Sequence, residues 1–492
     1  MSRPSEPTMQ RGKLAHYAPY LAKQSQKPTP VVPWRTFLPF LPHPEKTAPP
    51  QPPRPKLKPL PEGWERSFHA APAAYPREIR EGHGDLSRSS HPYRRSPVPA
   101  RESKEEKSRR QAEELNYSID QEYAAHRWDL SEARAAAPKG LWSSVERWRR
   151  TQPRGGYTLV VTHANGLLKE QWHPALLELL ARDPSAPGAT FGTNQPLKHQ
   201  KPVEIDEVWL MDNTNQAGSM DLNAGAIGPA QIWDDCGRDV LYFVKHVLPA
   251  LRKEEDAGWH LKYTEQAPSR KVIGVGHSIG GNAIVQAAHA APELFEAVFL
   301  VDPMCPPHPV TPEEWRRDGV KHFKLSAGAL KRRDVWPSLT EARRLMADNP
   351  FYKAWDPAVF ELWLSHGLVP VDYANPSGPV TLATPSWSES ICFTEPAGEA
   401  RGWDKLPYLP MPVGFVMAGT NFTTYGPELT QEMVWRPQRP RNERVMDAGH
   451  LITQEKPHKV ADALWRFLTT YAAGEWGLKQ EIQDAYAAQS KL

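Results

Sequence analysis

A serine at the centre of a Gly-x-Ser-x-Gly pentapeptide is the feature of this sequence that most directly indicates chemistry. Ser278 follows the β-branched, apolar run 272–275 and precedes the small-residue stretch 283–288. A strand-to-helix turn of this kind exposes a serine hydroxyl and leaves room only for glycine beside it. The pattern predicts that Ser278 is a nucleophile and that Ile279, opening the helix, offers its N–H to an oxyanion. The alternative is an ordinary glycine-rich turn.

A base and an acid for this serine are found further along the chain. His450 follows a glycine and precedes the predicted helix 460–470, so its imidazole can swing over Ser278; the alternative is a surface histidine. Asp302 stands where the predicted strand 297–301 ends, from which an aspartate can reach His450. The more common place, after a later strand, holds no carboxylate before Glu428. We predict Asp302 as the acid, with Glu428 or a merely turn-capping Asp302 as alternatives.

A second oxyanion donor should come from the loop that follows the first predicted strand. His163-Ala164-Asn165-Gly166 occupies that loop, and we predict that the backbone N–H of Asn165 is the donor. We expect His163 to fix the loop and His277, inside the pentapeptide, to be structural.

The elements that must position these residues alternate between strand and helix. This alternation predicts an α/β fold with a doubly wound, mostly parallel sheet. More than a hundred residues separate the fourth and fifth strands, too many for a crossover loop, and predict a helical lid inserted before the last core strands. The lid tryptophans Trp336, Trp363 and Trp387 are candidate substrate contacts, or else the core of the lid itself. The five predicted strands are 157–162, 204–211, 271–276, 297–301 and 413–419.

The chain divides into segments of different composition. Prolines are crowded into residues 1–100, which we predict to be a disordered leader. Pro49, Pro52 and Arg54 have the PxxPxR spacing of a ligand for an SH3-type groove, a match that is usually incidental. The remaining predicted segments are a charged helical segment 101–150, the core in two parts (151–302 and 412–478), the lid 303–411 and a tail 479–492.

Composition and charge exclude several classes. A net charge of +3 over 492 residues does not indicate nucleic acid as a partner. The three cysteines have neither metal-ligand nor disulfide spacing, and no apolar run reaches the length of a membrane span. The last three residues, Ser490, Lys491 and Leu492, match the tripeptide read by the peroxisomal import receptor, which predicts the peroxisomal matrix; the alternative is a chance ending.

Together these motifs make residues 157–470 resemble the fungal peroxisomal α/β-hydrolases typified by AK-toxin biosynthesis proteins and yeast peroxisomal lipase. The resemblance lies in the motifs 163–170, 208–212, 232–235 and 301–303 and in the serine pentapeptide. It implies the α/β-hydrolase fold and an enzyme that cleaves an ester, a lipid or a thioester, or acts in secondary metabolism. The leader and the polar stretch 213–216 depart from it.

We therefore predict a serine hydrolase that acts on a small-molecule acyl substrate through an acyl-enzyme on Ser278. Neither a metal nor an organic cofactor is needed for that chemistry. The alternative is a non-catalytic interaction protein that uses the same fold as a scaffold and recruits partners through the Pro-rich leader.

Overall fold

The computed structural model describes residues 36–78, 103–125, 140–224, 226–228, 230–248, 258–265, 270–307, 324–395, 397–420 and 426–489. An eight-stranded sheet forms the centre of this part of the chain. Its strands are β1 Trp64–Pro72, β2 Trp142–Arg150, β3 Tyr157–Thr162, β4 Ile205–Met211, β5 Val272–His277, β6 Phe295–Val301, β10 Pro412–Ala418 and β11 Arg439–Val445. They follow the order β1-β2-β4-β3-β5-β6-β10-β11. The strands from β4 to β11 in this order are mutually parallel, whereas β1 and β2 run antiparallel at one edge. The prediction of a doubly wound, mostly parallel sheet is confirmed.

Helices separate the parallel strands and cover the sheet. Before the lid these helices are His173–Leu180, Ala217–Leu222, Trp233–Tyr242 (continued as a π-helix over Phe243–Val247) and Ile279–Ala290. After the lid they are Pro427–Val434, Ile452–Glu455, Pro457–Ala472 and Lys479–Gln489. The helix Lys104–Ala125 lies between β1 and β2 and contacts helices of the lid. The central strands β3, β5 and β6 are buried along nearly their whole length, as expected for parallel strands covered on both faces.

The segment between β6 and β10, which we predicted as a lid, contains helices and a small sheet that the sequence did not reveal. Three short strands, β7 Val335–Trp336, β8 Leu368–Pro370 and β9 Val380–Leu382, pair in the order β7-β9-β8. The helices of this segment are Lys324–Lys331, Leu339–Asp348, Pro350–Lys353, Pro357–His366, Ser386–Cys392 and Gly398–Lys405.

The predicted boundary of the core at residue 151 is wrong, because β1 and β2 belong to the sheet. β2 was assigned to the charged helical segment 101–150, of which only Lys104–Ala125 is helical among the described residues. Its two buried charged residues are paired: Glu146 accepts from the indole of Trp148 and pairs with His173, while Arg147 pairs with Glu207. Because these charged side chains find their partners only in the folded protein, the sequence did not reveal that β2 is a buried strand.

The prediction that residues 1–100 form a disordered leader is wrong for 36–78. Residues 36–63, which we call the strap, lie against the folded core without regular secondary structure. The carbonyl of Pro49 accepts the indole N–H of Trp259 (2.7 Å), and Arg54 donates to Ser144 Oγ (2.7 Å). These contacts engage two positions of the PxxPxR motif. The remainder of the predicted leader lies outside the described residues.

Within the described residues, no helix combines the length and the apolar character needed to cross a bilayer.

Candidate active site

The turn between β5 and the helix Ile279–Ala290 places Ser278 in an unusual backbone conformation. Its φ of 58° and ψ of −122° lie outside the regions that non-glycine residues prefer. A Cβ on Gly276 would come within 2.6 Å of the Gly280 carbonyl oxygen, and a Cβ on Gly280 within 2.6 Å of the His163 carbonyl oxygen. Both flanking positions therefore require glycine, which is the steric reason for the pentapeptide.

Three side chains that are far apart in sequence meet at this turn. His450 Nε2 lies 3.0 Å from Ser278 Oγ, and His450 Nδ1 lies 2.7 Å from Asp302 Oδ2. The side chain of Asp302 is 2% exposed and that of His450 is 28% exposed, so the relay runs from a buried carboxylate to an accessible imidazole. The arrangement suits removal of a proton from Ser278 Oγ by an imidazole whose orientation the carboxylate fixes.

The structure places Asp302, and not Glu428, beside His450. Asp302 directly follows β6 with a φ of 40°; its N–H donates to the Val416 carbonyl (2.8 Å), and its Oδ1 accepts the N–H of Ala418 (3.2 Å). The neighbouring strand β10 thus fixes the carboxylate. Glu428 is exposed in the first turn of the helix Pro427–Val434.

The loop that carries His450 is anchored on both sides. His277 Nε2 lies 2.9 Å from the carbonyl oxygen of His450, and the N–H of Gly449 donates to Glu455 Oε2 (2.8 Å). Burial, together with the nearby His450, lowers the pKa of His277 to about 3. His277 is therefore neutral and donates its Nε2 hydrogen to that carbonyl. His277 therefore has the structural role of holding the backbone of His450, the candidate base.

The loop after β3 lies beside the turn, as the His163 contact with Gly280 indicates. The N–H of Ile279 has no carbonyl partner within its own helix because Ile279 is the first helical residue. The side chain of Asn165 donates to the Glu389 carbonyl (2.9 Å), and its Oδ1 accepts from Gln216 Nε2 (2.5 Å). Gln216 also accepts the N–H of Gly166 (3.0 Å). These bonds engage the side chain of Asn165 and the N–H of Gly166, and the role of the Asn165 backbone N–H as second donor stays a prediction.

A buried ionic cluster supports the same loop from behind. Lys169 forms ion pairs with Asp212 and with Glu170, and its backbone N–H also donates to Asp212. Although burial opposes its charge, these two carboxylates raise the pKa of Lys169. Burial lowers the pKa of His163, whose Nε2 accepts the N–H of Asn213 (3.2 Å), so His163 fixes the loop as a neutral side chain.

The three predicted lid tryptophans lie in packed interiors. Trp336 and Trp363 belong to an apolar cluster that also includes Leu167 and Leu168 of the loop after β3, and Trp387 belongs to the main core. Their exposures are 4%, 2% and 8%. They pack the lid onto the core, and their contact with substrate stays a prediction.

The residues that hold the loop after β3 could not be predicted from the sequence. Gln216 lies in the polar stretch 213–216, and the sequence showed only that this stretch departs from the resemblance to fungal α/β-hydrolases. Glu389 and Arg332 belong to the lid and carry no motif that links them to residue 165. Across the described residues, no group of three or more histidine, cysteine or acidic side chains is arranged to hold a metal ion.

Comparison with known proteins gives a consistent result. The sequence profile of the alpha/beta hydrolase family matches residues 159–463, more than half of the chain. The chain is 28% identical over 270 residues to the type I acyl-CoA thioesterase mpaH of Penicillium roqueforti (strain FM164), covering 49% of this chain and 50% of that protein. It thus spans about half the length of that relative. It is 25% identical over 223 residues to the abhydrolase domain-containing protein AFT2-1 of Alternaria alternata, covering 39% of this chain and 81% of that protein.

Among solved structures, the peroxisomal alpha-beta-hydrolase Lpx1 of Saccharomyces cerevisiae superposes with a TM-score of 0.56 at 14% identity. The superposition covers 84% of this chain and 90% of that chain. At this identity the likeness concerns the fold. The predicted resemblance to fungal and yeast proteins of this kind is confirmed.

Proposed function

We propose that this chain, which belongs to the alpha/beta hydrolase family, is a serine hydrolase that cleaves an ester or thioester bond of a small acyl substrate. The observation that carries the proposal is the continuous relay from Asp302 through His450 to Ser278, with donor–acceptor distances of 2.7 and 3.0 Å.

The first half of the reaction forms an acyl-enzyme. Ser278 Oγ attacks the carbonyl carbon of the substrate while His450 Nε2 takes its proton, and Asp302 stabilises the imidazolium. The carbonyl oxygen becomes an oxyanion that accepts from the N–H groups of Ile279 and Asn165. When the tetrahedral intermediate collapses, His450 gives the proton to the leaving alkoxide or thiolate, and the acyl group stays on Ser278.

The second half releases the acid. His450 takes a proton from a water molecule, which attacks the acyl carbonyl carbon on the same oxyanion site. Collapse of this intermediate returns the proton to Ser278 Oγ and frees the carboxylic acid. The chain's own side chains supply every proton transfer in this scheme.

Both ester and thioester substrates fit this scheme, because alcohols and thiols are both competent leaving groups. The relatedness to a protein named as an acyl-CoA thioesterase supports testing thioesters alongside esters. Turnover should be measured with p-nitrophenyl esters and acyl-CoA thioesters of increasing chain length.

The matched variants are Ser278→Ala and, as a control, Ser365→Ala, whose hydroxyl donates to the Glu361 carbonyl within a lid helix. The proposal predicts that Ser278→Ala lowers turnover by about 10⁶-fold and that Ser365→Ala leaves it unchanged. Near-normal turnover in Ser278→Ala would overturn the proposal.

We further propose that the enzyme acts in the peroxisomal matrix, delivered by the import receptor through Ser490, Lys491 and Leu492. These residues lie outside the described part of the chain. The support is the match of the tripeptide to the import signal and the sequence similarity to a yeast protein that is named as peroxisomal.

The engaged strap gives no support to the scaffold alternative, in which the Pro-rich leader recruits partners. Within the described residues, Pro49 and Arg54 are already bonded to the core, so a free SH3-type ligand is not presented there.

A further inference from the structure

The lid helix Ser386–Cys392 is seated directly on the loop that offers the second oxyanion donor. The carbonyl of Glu389 accepts from Asn165 Nδ2 at 2.9 Å, and Gln216 bridges from the side chain of Asn165 to the N–H of Gly166. Any change in the position of Glu389 is therefore transmitted to Asn165.

The Glu389 side chain also lies against this loop. A Cβ built on Gly166 would come within 2.5 Å of Glu389 Cδ, so the carboxyl group fills the space over that glycine. The Glu389 side chain is 12% exposed, and its carboxylate forms an ion pair with Arg332, whose side chain is 29% exposed.

A buried carboxylate in this place poses an electrostatic problem for acyl transfer. The reaction creates a negative charge at the Ile279 and Asn165 N–H groups, and a second negative charge close by would oppose it. Two ionisable groups face Glu389 from other elements: Arg332, which follows the helix Lys324–Lys331, and Tyr352, from the helix Pro350–Lys353. Burial raises the pKa of Tyr352, so it is neutral, and the countercharge at Glu389 comes from Arg332.

We propose that Arg332 is a positioning residue of the hydrolase: by neutralising Glu389 it keeps the lid helix on the Asn165 loop and shields the oxyanion from that carboxylate. This inference rests on the proposed function, because it concerns the oxyanion that Ser278 chemistry creates.

The proposed role of Arg332 predicts how the reactivity of Ser278 depends on pH. Burial raises the pKa of Glu389 and Arg332 lowers it. Without Arg332 the pKa of Glu389 rises further, so the carboxyl is neutral at lower pH and becomes charged as the pH rises through its new pKa. A variant without the Arg332 charge should therefore keep its reactivity at low pH and lose it at high pH.

The test measures the second-order rate of Ser278 labelling by a fluorophosphonate, whose phosphoryl oxygen also gains negative charge in the oxyanion site. Rates are measured over roughly pH 6–9 for the wild-type protein, Arg332→Gln, Arg332→Lys and the double variant Arg332→Gln/Glu389→Gln. The matched control is Arg343→Gln, which breaks the exposed lid ion pair with Glu361.

We expect Arg332→Gln to label about 10–100-fold more slowly than wild type at the alkaline end and to approach it at the acid end. Arg332→Lys, the double variant and Arg343→Gln should follow the wild-type profile. Comparison with the wild-type protein at each pH removes any pH effect that is common to all the proteins.

Two results would overturn this inference alone: a wild-type profile for Arg332→Gln, or a double variant that stays as slow as Arg332→Gln, which would show a structural role for the arginine. Should Arg332→Gln fail to fold while the double variant folds and reacts normally, the uncompensated charge of Glu389 is again identified as the cause. A wild-type protein that does not label at all overturns the proposed function and this inference with it.

Discussion

Replacement of Asp302 by asparagine tests whether the carboxylate of Asp302 determines which ring nitrogen of His450 carries the proton. In the structure Asp302 Oδ1 accepts the Ala418 N–H, and Oδ2 faces Nδ1 of His450. An asparagine keeps its carbonyl oxygen on the Ala418 N–H, so its NH₂ group must face Nδ1. Since an NH₂ group only donates, Nδ1 must accept, and the imidazole proton moves to Nε2, which faces Ser278.

With Nε2 protonated, His450 cannot take the proton of Ser278. We expect kcat to fall about 10⁴-fold, which corresponds to an increase of about 5 kcal/mol in the activation free energy. Asparagine adopts a positive φ as readily as aspartate does, so the φ of 40° at residue 302 adds no strain. The free energy of unfolding should therefore change by no more than about 1 kcal/mol.

The assay is steady-state hydrolysis of a p-nitrophenyl ester, with thermal unfolding to confirm the fold. Glu428→Gln is the matched control, because Glu428 is the competing acid and is exposed. It should behave as wild type. Asp302 is not the acid of the triad if folded Asp302→Asn keeps turnover within about tenfold of wild type, or if Glu428→Gln shows the loss of turnover instead.

Two further predictions concern the strap and the tail. Arg54→Ala should lower the free energy of unfolding, measured by denaturant titration, by about 1–3 kcal/mol. The variant removes one ion-pair partner of buried Glu170, and the remaining partner, Lys169, only partly replaces it. An unchanged midpoint of unfolding would mean that the strap does not stabilise the core. A fluorescent protein fused ahead of Met1 should collect in peroxisomes and move to the cytosol when residues 490–492 are removed; unchanged localisation after truncation would contradict that address.

Five of the six parallel strands could be predicted from the sequence, whereas β11, which is rich in charged residues, was missed. β3, β5 and β6 are short apolar runs flanked by turns, as strands buried on both faces must be. The predicted triad residues also follow from this pattern, since the carboxyl ends of parallel strands share one edge. Asp302 was favoured over Glu428 because it stands at a strand end from which an aspartate can reach the histidine, whereas Glu428 lies nine residues beyond Gly419.

The antiparallel edge could not be predicted from apolar patterning. β2 carries Glu146 and Arg147 in its buried stretch, and their charges are compensated by His173 and Glu207 from other elements. Such a strand looks like a solvated segment until its partners are known. β1 was missed for a related reason, because it follows a proline-rich stretch that lacks a periodic apolar pattern of its own.

The loop after β3 is held by contacts between residues that are remote in sequence. Gln216 and Glu389 bond to Asn165, and Arg332 pairs with Glu389, only because the chain folds these segments together. Their residue types are common on protein surfaces, and no local spacing distinguishes them. Three-dimensional proximity was the missing information.

The central claim, that Ser278 is an activated nucleophile, is tested most directly by locating a covalent adduct. The full-length protein is treated with a fluorophosphonate, digested and sequenced by tandem mass spectrometry, alongside Ser278→Ala and His450→Ala. We expect one adduct on Ser278, none in Ser278→Ala and strongly slowed labelling in His450→Ala. A folded wild-type protein that carries no adduct, or carries it on another residue while Ser278 stays unmodified, would contradict it.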